Sequence, residues 1–111
     1  MAKSESESSG LFNRAAPRYA GEDFVPDFAS GMFRFPYRRE PYARVDLQLD
    51  AGGTEARDAK VLARTGDSAF LNITFPGPDQ RPVSLWIPAG AATRIRPEES
   101  SWRDPSDLEW E

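Results

Sequence analysis

Two short apolar segments on either side of a proline-rich loop constrain the fold more than any other part of this chain. AFLNITF, residues 69–75, and VSLWI, residues 83–87, have the length and the β-branched and aromatic content of strands. PGPDQRP, residues 76–82, carries three prolines and reads as a loop. In an antiparallel hairpin, one register gives a continuous apolar face, with Phe75 opposite Val83, Ile73 opposite Leu85 and Leu71 opposite Ile87. The other face then holds Thr74, Ser84, Asn72 and Trp86, with Phe70 nearby.

Further strands are predicted around this hairpin. ARVDLQLD, residues 43–50, alternates apolar and polar side chains, and the AGGT that follows is a turn signal. RDAKVLART, residues 57–65, is a less regular strand candidate. After Pro88, AGAA suits one tight helical turn and TRIR a short final strand. This order predicts a mainly β fold, a small SH3-like barrel of about five strands, with an OB-like barrel as the alternative.

The predicted organisation has three parts. Residues 1–36 form an extended aromatic-rich arm largely without regular structure, 37–97 the small β-barrel and 98–111 an acidic tail. The predicted core consists of Val45, Leu47, Leu49, Val61, Ala63, Leu71, Ile73, Phe75, Val83, Leu85, Ile87 and Ile95. A core of this size is marginal on its own.

Composition removes most kinds of chemistry. The chain contains no cysteine and no histidine, which excludes thiolate nucleophiles and the commonest general base and metal ligand. No pair of carboxylates is evidently held together in a pocket, so we expect no catalytic residue, metal or cofactor, and no enzyme activity. No apolar stretch is long enough to span a bilayer and the polar start does not look like a secretory signal, so we expect a cytoplasmic or virion-associated protein.

The arm is unusual because segments without periodicity are usually poor in aromatics. Eight of the thirteen aromatic residues fall in the first 44 positions: Phe12, Tyr19, Phe24, Phe28, Phe33, Phe35, Tyr37 and Tyr42. Arginines interleave with the last of them: Arg34, Arg38, Arg39 and Arg44. These rings need cover, either from the chain's own barrel or from a partner, and the sequence leaves both open.

The interleaved rings and guanidiniums fit two kinds of partner. Aromatic and arginine side chains are enriched at protein interfaces. They also suit single-stranded nucleic acid, with Phe70 and an outward Trp86 stacking on bases, although the net charge of −4 argues against it. The alternative for Trp86 is a purely structural role, in which the arm of the same chain covers its ring. We favour a larger protein or protein assembly, with nucleic acid as the alternative and no membrane.

The acidic tail EESSWRDPSDLEWE contains Ser106 and Glu109 at capping-box spacing after Pro105, which allows a helical turn. Trp102, Leu108 and Trp110 are candidate anchors of a docking peptide. A solvated tail, or one tied to the basic segment of the arm, is the alternative.

The stretch from Thr65 to Ile95, with T-x-x-x-A-F-L followed by L-W-I-P and a closing isoleucine, resembles small uncharacterised β-barrel proteins of phages and mobile elements. This chain has Ala89 and Gly90 where those proteins carry lysine and serine. The resemblance covers about a third of the chain; it implies a small β-barrel and no activity.

These observations predict a non-enzymatic interaction or assembly protein, such as a phage or virion component or a small adaptor or inhibitor, that binds a larger protein through its arm and tail. The candidate partner-binding residues are Phe33, Arg34, Phe35, Tyr37, Arg38, Arg39, Tyr42, Phe70, Trp86, Trp102, Leu108 and Trp110.

Overall fold

The computed structural model of the chain describes residues 19–77 and 79–108. Within these residues the regular elements are six strands, two 3-10 turns and one short helix. The strands are β1 Met32–Arg34, β2 Tyr42–Gln48, β3 Thr54–Thr65, β4 Phe70–Pro76, β5 Pro82–Pro88 and β6 Ala92–Ile95. The 3-10 turns are Ala89–Ala91 and Pro97–Glu99, and the helix α1 is Pro105–Leu108.

The strands form one antiparallel sheet in the order β5-β4-β3-β2-β6, and β1 pairs separately with the end of β3. The mainly β prediction is therefore confirmed. The sheet is not closed, because no strand pairing among the described residues joins its edge strands β5 and β6. The SH3-like or OB-like barrel is thus not confirmed. Alternation identifies strands, but it does not say which edges meet.

The predicted hairpin is confirmed in its register. In β4 and β5, Phe75 lies opposite Val83, Ile73 opposite Leu85, and Leu71 opposite Ile87. The pairing extends to Pro76 and Pro82, so the strands run closer to the loop than the sequence indicates.

Strands β2 and β3 follow the sequence with two differences. The alternation in β2 holds, but the strand ends at Gln48, and Leu49 instead forms an isolated bridge with Tyr19. Strand β3 begins at Thr54, three residues before the predicted start. A register shift between Val61 and Ala63 marks a β-bulge in β3. Such a bulge bends a strand and increases its twist.

The core lies on the apolar face of this sheet. Eight of the predicted core residues are buried: Val45, Leu47, Val61, Ala63, Ile73, Phe75, Leu85 and Ile87. Leu49, Leu71, Val83 and Ile95 are half-buried. Tyr19 joins the core from the arm, with its ring centroid 5.5 Å from that of Phe75 in an edge-on arrangement.

The described part of the arm is attached to the sheet. Strand β1 pairs with β3, with Met32 opposite Thr65 and Arg34 opposite Ala63. At the turn that follows β3, the Gly66 amide donates to the Gly31 carbonyl at 2.8 Å. The regular structure of the arm is too short to give a periodic sequence signal, so it was not predicted.

The α-helix in the described residues, α1, is four residues long. No helix in this part of the chain is long and apolar enough to cross a membrane.

Candidate interaction surface

The large apolar side chains that remain exposed are concentrated in one segment. Among the described residues there are six, all between positions 24 and 37, and their exposed fractions range from 41% to 67%. They are Phe24, Val25, Phe28, Met32, Phe33 and Tyr37, and we call this set the arm surface. Clustered exposed apolar side chains are typical of interaction sites.

Sheet residues hold the rings of the arm surface from one side. Phe28 stands edge-on to Trp86 with ring centroids 5.4 Å apart, and Phe24 lies 5.2 Å from Phe70. The half-buried Trp86 is thus partly covered by its own arm, as the structural interpretation of this residue expected. Phe24 and Phe28 are therefore each in contact with a sheet residue on one side and partly exposed on the other.

The Phe33 ring is held by an arginine. The Arg64 guanidinium lies 4.9 Å from the centre of the Phe33 ring, and Phe33 packs edge-on against Phe35 at 5.1 Å. Phe35 itself packs against the core. Cation–π contacts of this kind fix both partners in one orientation.

A largely apolar groove of about 560 Å³ opens beside the edge strand β5. Its apolar lining includes Phe24, Phe70, Leu85, Trp86, Ile87 and Pro88. The groove lies beside the C-terminal end of β2. This end lies past Val45, the last residue of β2 that pairs with β6. The structure therefore brings together the two stacking candidates, Phe70 and Trp86, and adds a ring from the arm.

The tail is tied to the sheet through a buried lysine. Lys60, in β3, is 1% exposed, and its Nζ lies 2.8 Å from Asp104, 3.1 Å from Asp107 and 3.5 Å from Glu40. The Tyr42 hydroxyl donates to Asp107 Oδ2 at 2.6 Å and accepts from the Asp104 amide at 2.9 Å. We call these five residues the tail clasp.

Charges in the tail clasp stabilise one another. Burial alone lowers the pKa of the Lys60 ammonium, but its hydrogen bonds to Asp104 and Asp107 outweigh burial and raise that pKa above its usual value. Burial likewise raises the pKa of Asp104, but the hydrogen bonds from Lys60 and from the Ser106 amide, together with the positive charge of Lys60, outweigh burial and lower that pKa. The contacts between Lys60 and Asp104 therefore stabilise the charged form of both groups.

A second ion pair supports the same segment. Arg44 Nε donates to Asp58 Oδ1 at 2.7 Å, and the Ser101 amide donates to Asp58 Oδ2 at 2.7 Å. The Arg44 hydrogen bond, helped by Ser101 and opposed by burial, lowers the pKa of Asp58 to about 2. Arg44 also reaches the Glu99 carbonyl at 3.2 Å, so an arginine of the basic segment does contact the tail.

The predicted site residues fall into different environments. Tyr42 was expected to contact a partner, but it is 2% exposed and its hydroxyl is engaged by the tail, so the structure does not present it at the surface. Trp102 is half-buried, with its ring 6.1 Å from that of Tyr42. Arg34 and Arg39 are exposed and Arg38 is half-buried. Trp110 and the side chain of Leu108 lie outside what the structure describes.

The predicted helical turn in the tail is present, with a different cap. Asp104 Oδ1 accepts the Ser106 amide at 2.9 Å, so Asp104 is the N-cap and Pro105 the first helical residue. Asp104 thus serves both α1 and Lys60. Lys60 was not predicted as a site residue because a lysine in a strand usually points to solvent. The acidic tail indicated that a cation would be needed, but only the arginines of the arm were considered as its partners.

No protein-family model matches this chain, and comparisons with curated proteins and with solved structures find no significant match. Among residues 19–77 and 79–108 no group of three or more acidic side chains is arranged to hold a metal ion.

Proposed function

We propose that this chain is a non-enzymatic binding module that docks on a larger protein through the arm surface. One observation carries the proposal: the large exposed apolar side chains of the described residues all lie within residues 24–37. Scattered exposed apolar residues need no explanation, but a set confined to one short segment does.

The rings of the arm surface are suited to binding because they are already positioned. Phe24, Phe28 and Phe33 each pack against another ring on one side, so docking costs little side-chain entropy. Covering a large apolar side chain fully is worth about 1.5–3 kcal/mol, and these rings still have about half of that to gain. Aromatic anchors of this type dominate the binding energy of many interfaces.

The partner we propose is a larger protein or assembly, such as a phage or virion particle, whose contact surface is apolar and bears carboxylates. The apolar part would cover the arm surface. The carboxylates would meet the exposed Arg34 and Arg39, which follow or flank the rings in sequence. The tail then serves to stabilise β2 and β3 through the tail clasp.

The experiment is quantitative affinity capture from the native source. Val25 and Tyr37 are the most exposed members of the arm surface, so Val25→Ser with Tyr37→Ser changes the surface with least effect on folding. Arg81→Ser with Glu98→Ser is the matched control, because both side chains are exposed and the net charge is unchanged. We expect the captured partner to be lost with the first variant and kept with the control. Equal capture by both variants, or no capture by the unaltered chain, would contradict the proposal.

Single-stranded nucleic acid is the second candidate, favoured by the placement of Phe70 and Trp86 in one groove. A labelled single-stranded oligonucleotide tests it by fluorescence anisotropy. Binding that weakens steeply with salt and disappears in Arg34→Ala with Arg38→Ala and Arg39→Ala would move this function ahead of protein docking. Absence of binding at low salt would eliminate it.

A further inference from the structure

A second, smaller pocket lies where the turn after β1 meets β6 and the tail. Its volume is about 230 Å³, and most of its charged lining is guanidinium. The arginines are Arg38 and Arg39 from the turn, Arg94 from β6 and Arg103 from the tail. Residues far apart in the sequence thus bring four positive charges to one cavity.

The carboxylates that share this lining, Asp107 and Glu40, both lie close to the Lys60 ammonium, although Glu40 Oε1 has no hydrogen-bond partner among the described residues. Asp107 Oδ1 lies 3.1 Å from the Lys60 ammonium, and its Oδ2 accepts the Tyr42 hydroxyl. Glu40 Oε1 lies 3.5 Å from the same ammonium. Because Lys60 already balances part of their charge, the pocket keeps a positive excess.

Arg103 is fixed in the pocket but has an unused donor. Its guanidinium carbon lies 5.7 Å from the centre of the Tyr42 ring, which orients the plane of the group. Its Nε is buried and has no hydrogen-bond partner within the described part of the chain. A buried donor without a partner is costly, and a small rotation of the Arg103 side chain towards a bound anion would satisfy it.

Arg38 adopts a left-handed backbone conformation, which is unfavourable for residues other than glycine. Its φ is +70°, in a turn closed by a 3.0 Å hydrogen bond from the Arg39 amide to the Pro36 carbonyl. Glycine would adopt this conformation without strain, whereas residues with a Cβ are strained in it. An arginine here extends its Nη2 to within 3.4 Å of the Asp107 carbonyl, at the pocket.

We propose that this pocket binds a tetrahedral oxyanion of the phosphate class, either free phosphate or a phosphoryl group on a larger molecule. Guanidinium groups from three segments offer donors from several directions, which suits the oxygens of phosphate better than the planar pair of a carboxylate. The proposal concerns a different ligand from the docking function and shares only Arg39 with the residues proposed for docking.

The first test is a titration of the full chain with inorganic phosphate, followed through the arginine Nε–Hε resonances in nitrogen–proton correlation spectra. We expect a saturable shift of the Arg103 resonance, since its Nε lacks a partner in the chain. Acetate at equal ionic strength should not produce it. A saturable response to phosphate shows the free ion as ligand, and a stronger response to a phosphoserine peptide shows a phosphoryl group. No saturable response to either would overturn the proposal.

The second test compares two variants that remove the same charge. Arg39→Gln with Arg94→Gln changes exposed residues of the pocket that take no part in the tail clasp, and Arg34→Gln with Arg81→Gln changes exposed residues outside it. The pocket variant should weaken phosphate binding about tenfold or more, as expected for lost charge-assisted hydrogen bonds. The control should change it less than about twofold. Equal losses in both would show a general charge effect and overturn the site.

Arg38→Gly supplies a third variant that does not strain the fold. Glycine accepts the φ of +70°, so we expect the turn to persist while phosphate affinity falls. Undiminished affinity in this variant would remove Arg38 from the site.

Discussion

At the scale of single residues, the Lys60 ammonium is the contact that joins the tail to the sheet. It lies within 3.1 Å of carboxylates from two positions in the tail, and its side chain is 2% exposed. A buried charge of this kind is tolerated only because its partners are in place. The tail therefore depends on this side chain more than on its own short helix.

The first prediction concerns Lys60→Met. The substitution keeps the length of the side chain but leaves the carboxylates of Glu40, Asp104 and Asp107 without their cation. We expect the free energy of unfolding to fall by about 3 kcal/mol. Urea denaturation measures it, and Arg96→Met, at an exposed ion pair, should cost under about 1 kcal/mol. A Lys60→Met protein as stable as this control would show that the clasp is not what holds the tail.

The second prediction concerns acid stability. Asp58 has a pKa lowered to about 2 in the folded chain, so the stability it adds is present above its unfolded pKa and is lost as the pH falls towards about 2. Because the Arg44 side chain is 50% exposed, solvent screening limits the effect at neutral pH to about 1 kcal/mol.

Asp58→Asn tests this pH dependence. Urea denaturation of both proteins over a series of pH values should show a stability difference at neutral pH. The difference should shrink below about pH 4, where the carboxyl of the unfolded chain protonates. A difference that stays constant down to acid pH would mean that the charge of Asp58 contributes nothing.

At the scale of elements, the sequence predicts the strands well where side chains alternate. The pairing of Ile73 with Leu85 could be predicted because a shift of one residue would expose a whole apolar face. The bulge at Val61 and Ala63 could not, since nothing local requires the extra residue. Strand β1 is three residues long and gives no period at all.

The third prediction tests how the arm is seated on the sheet. A Cβ at Gly66 would lie 1.7 Å from the Ser30 carbonyl oxygen, so Gly66→Ala must displace the arm from the turn after β3. We expect a loss of about 2 kcal/mol in the free energy of unfolding. Gly90→Ala is the matched control, because a Cβ there meets nothing within 4 Å, and it should be close to neutral. Equal stability of the two variants in thermal or urea unfolding would show that the arm does not pass this close to the turn.

At the scale of the whole molecule, the sequence leaves open whether the arm rings pack on the sheet or on a partner. In the structure, the sheet buries some rings of the arm and leaves others partly exposed. Tyr19 is buried in the core, whereas Phe24 and Phe28 pack on the sheet by one side only and stay more than 40% exposed. Composition predicts that the rings need cover, but how much of it the sheet provides depends on tertiary packing that no local pattern encodes.

The tail shows the same limit. The chain's charge distribution allows the acidic end to meet the basic segment, which was one of the alternatives for the tail, and Arg44 does reach the Glu99 carbonyl. The stronger contacts go to Lys60, which sits in a strand of otherwise neutral sequence charge. Partners across a fold cannot be chosen from charge alone when several cations are available.

Hydrogen–deuterium exchange of the chain alone and in complex with the partner that it captures tests the docking of the arm surface most directly. We predict that amides in residues 24–37 exchange more slowly in the complex, while those in residues 98–104 of the tail are unchanged. Protection confined to the edge strand Pro82–Pro88 or to the tail, with residues 24–37 unaffected, would contradict the account.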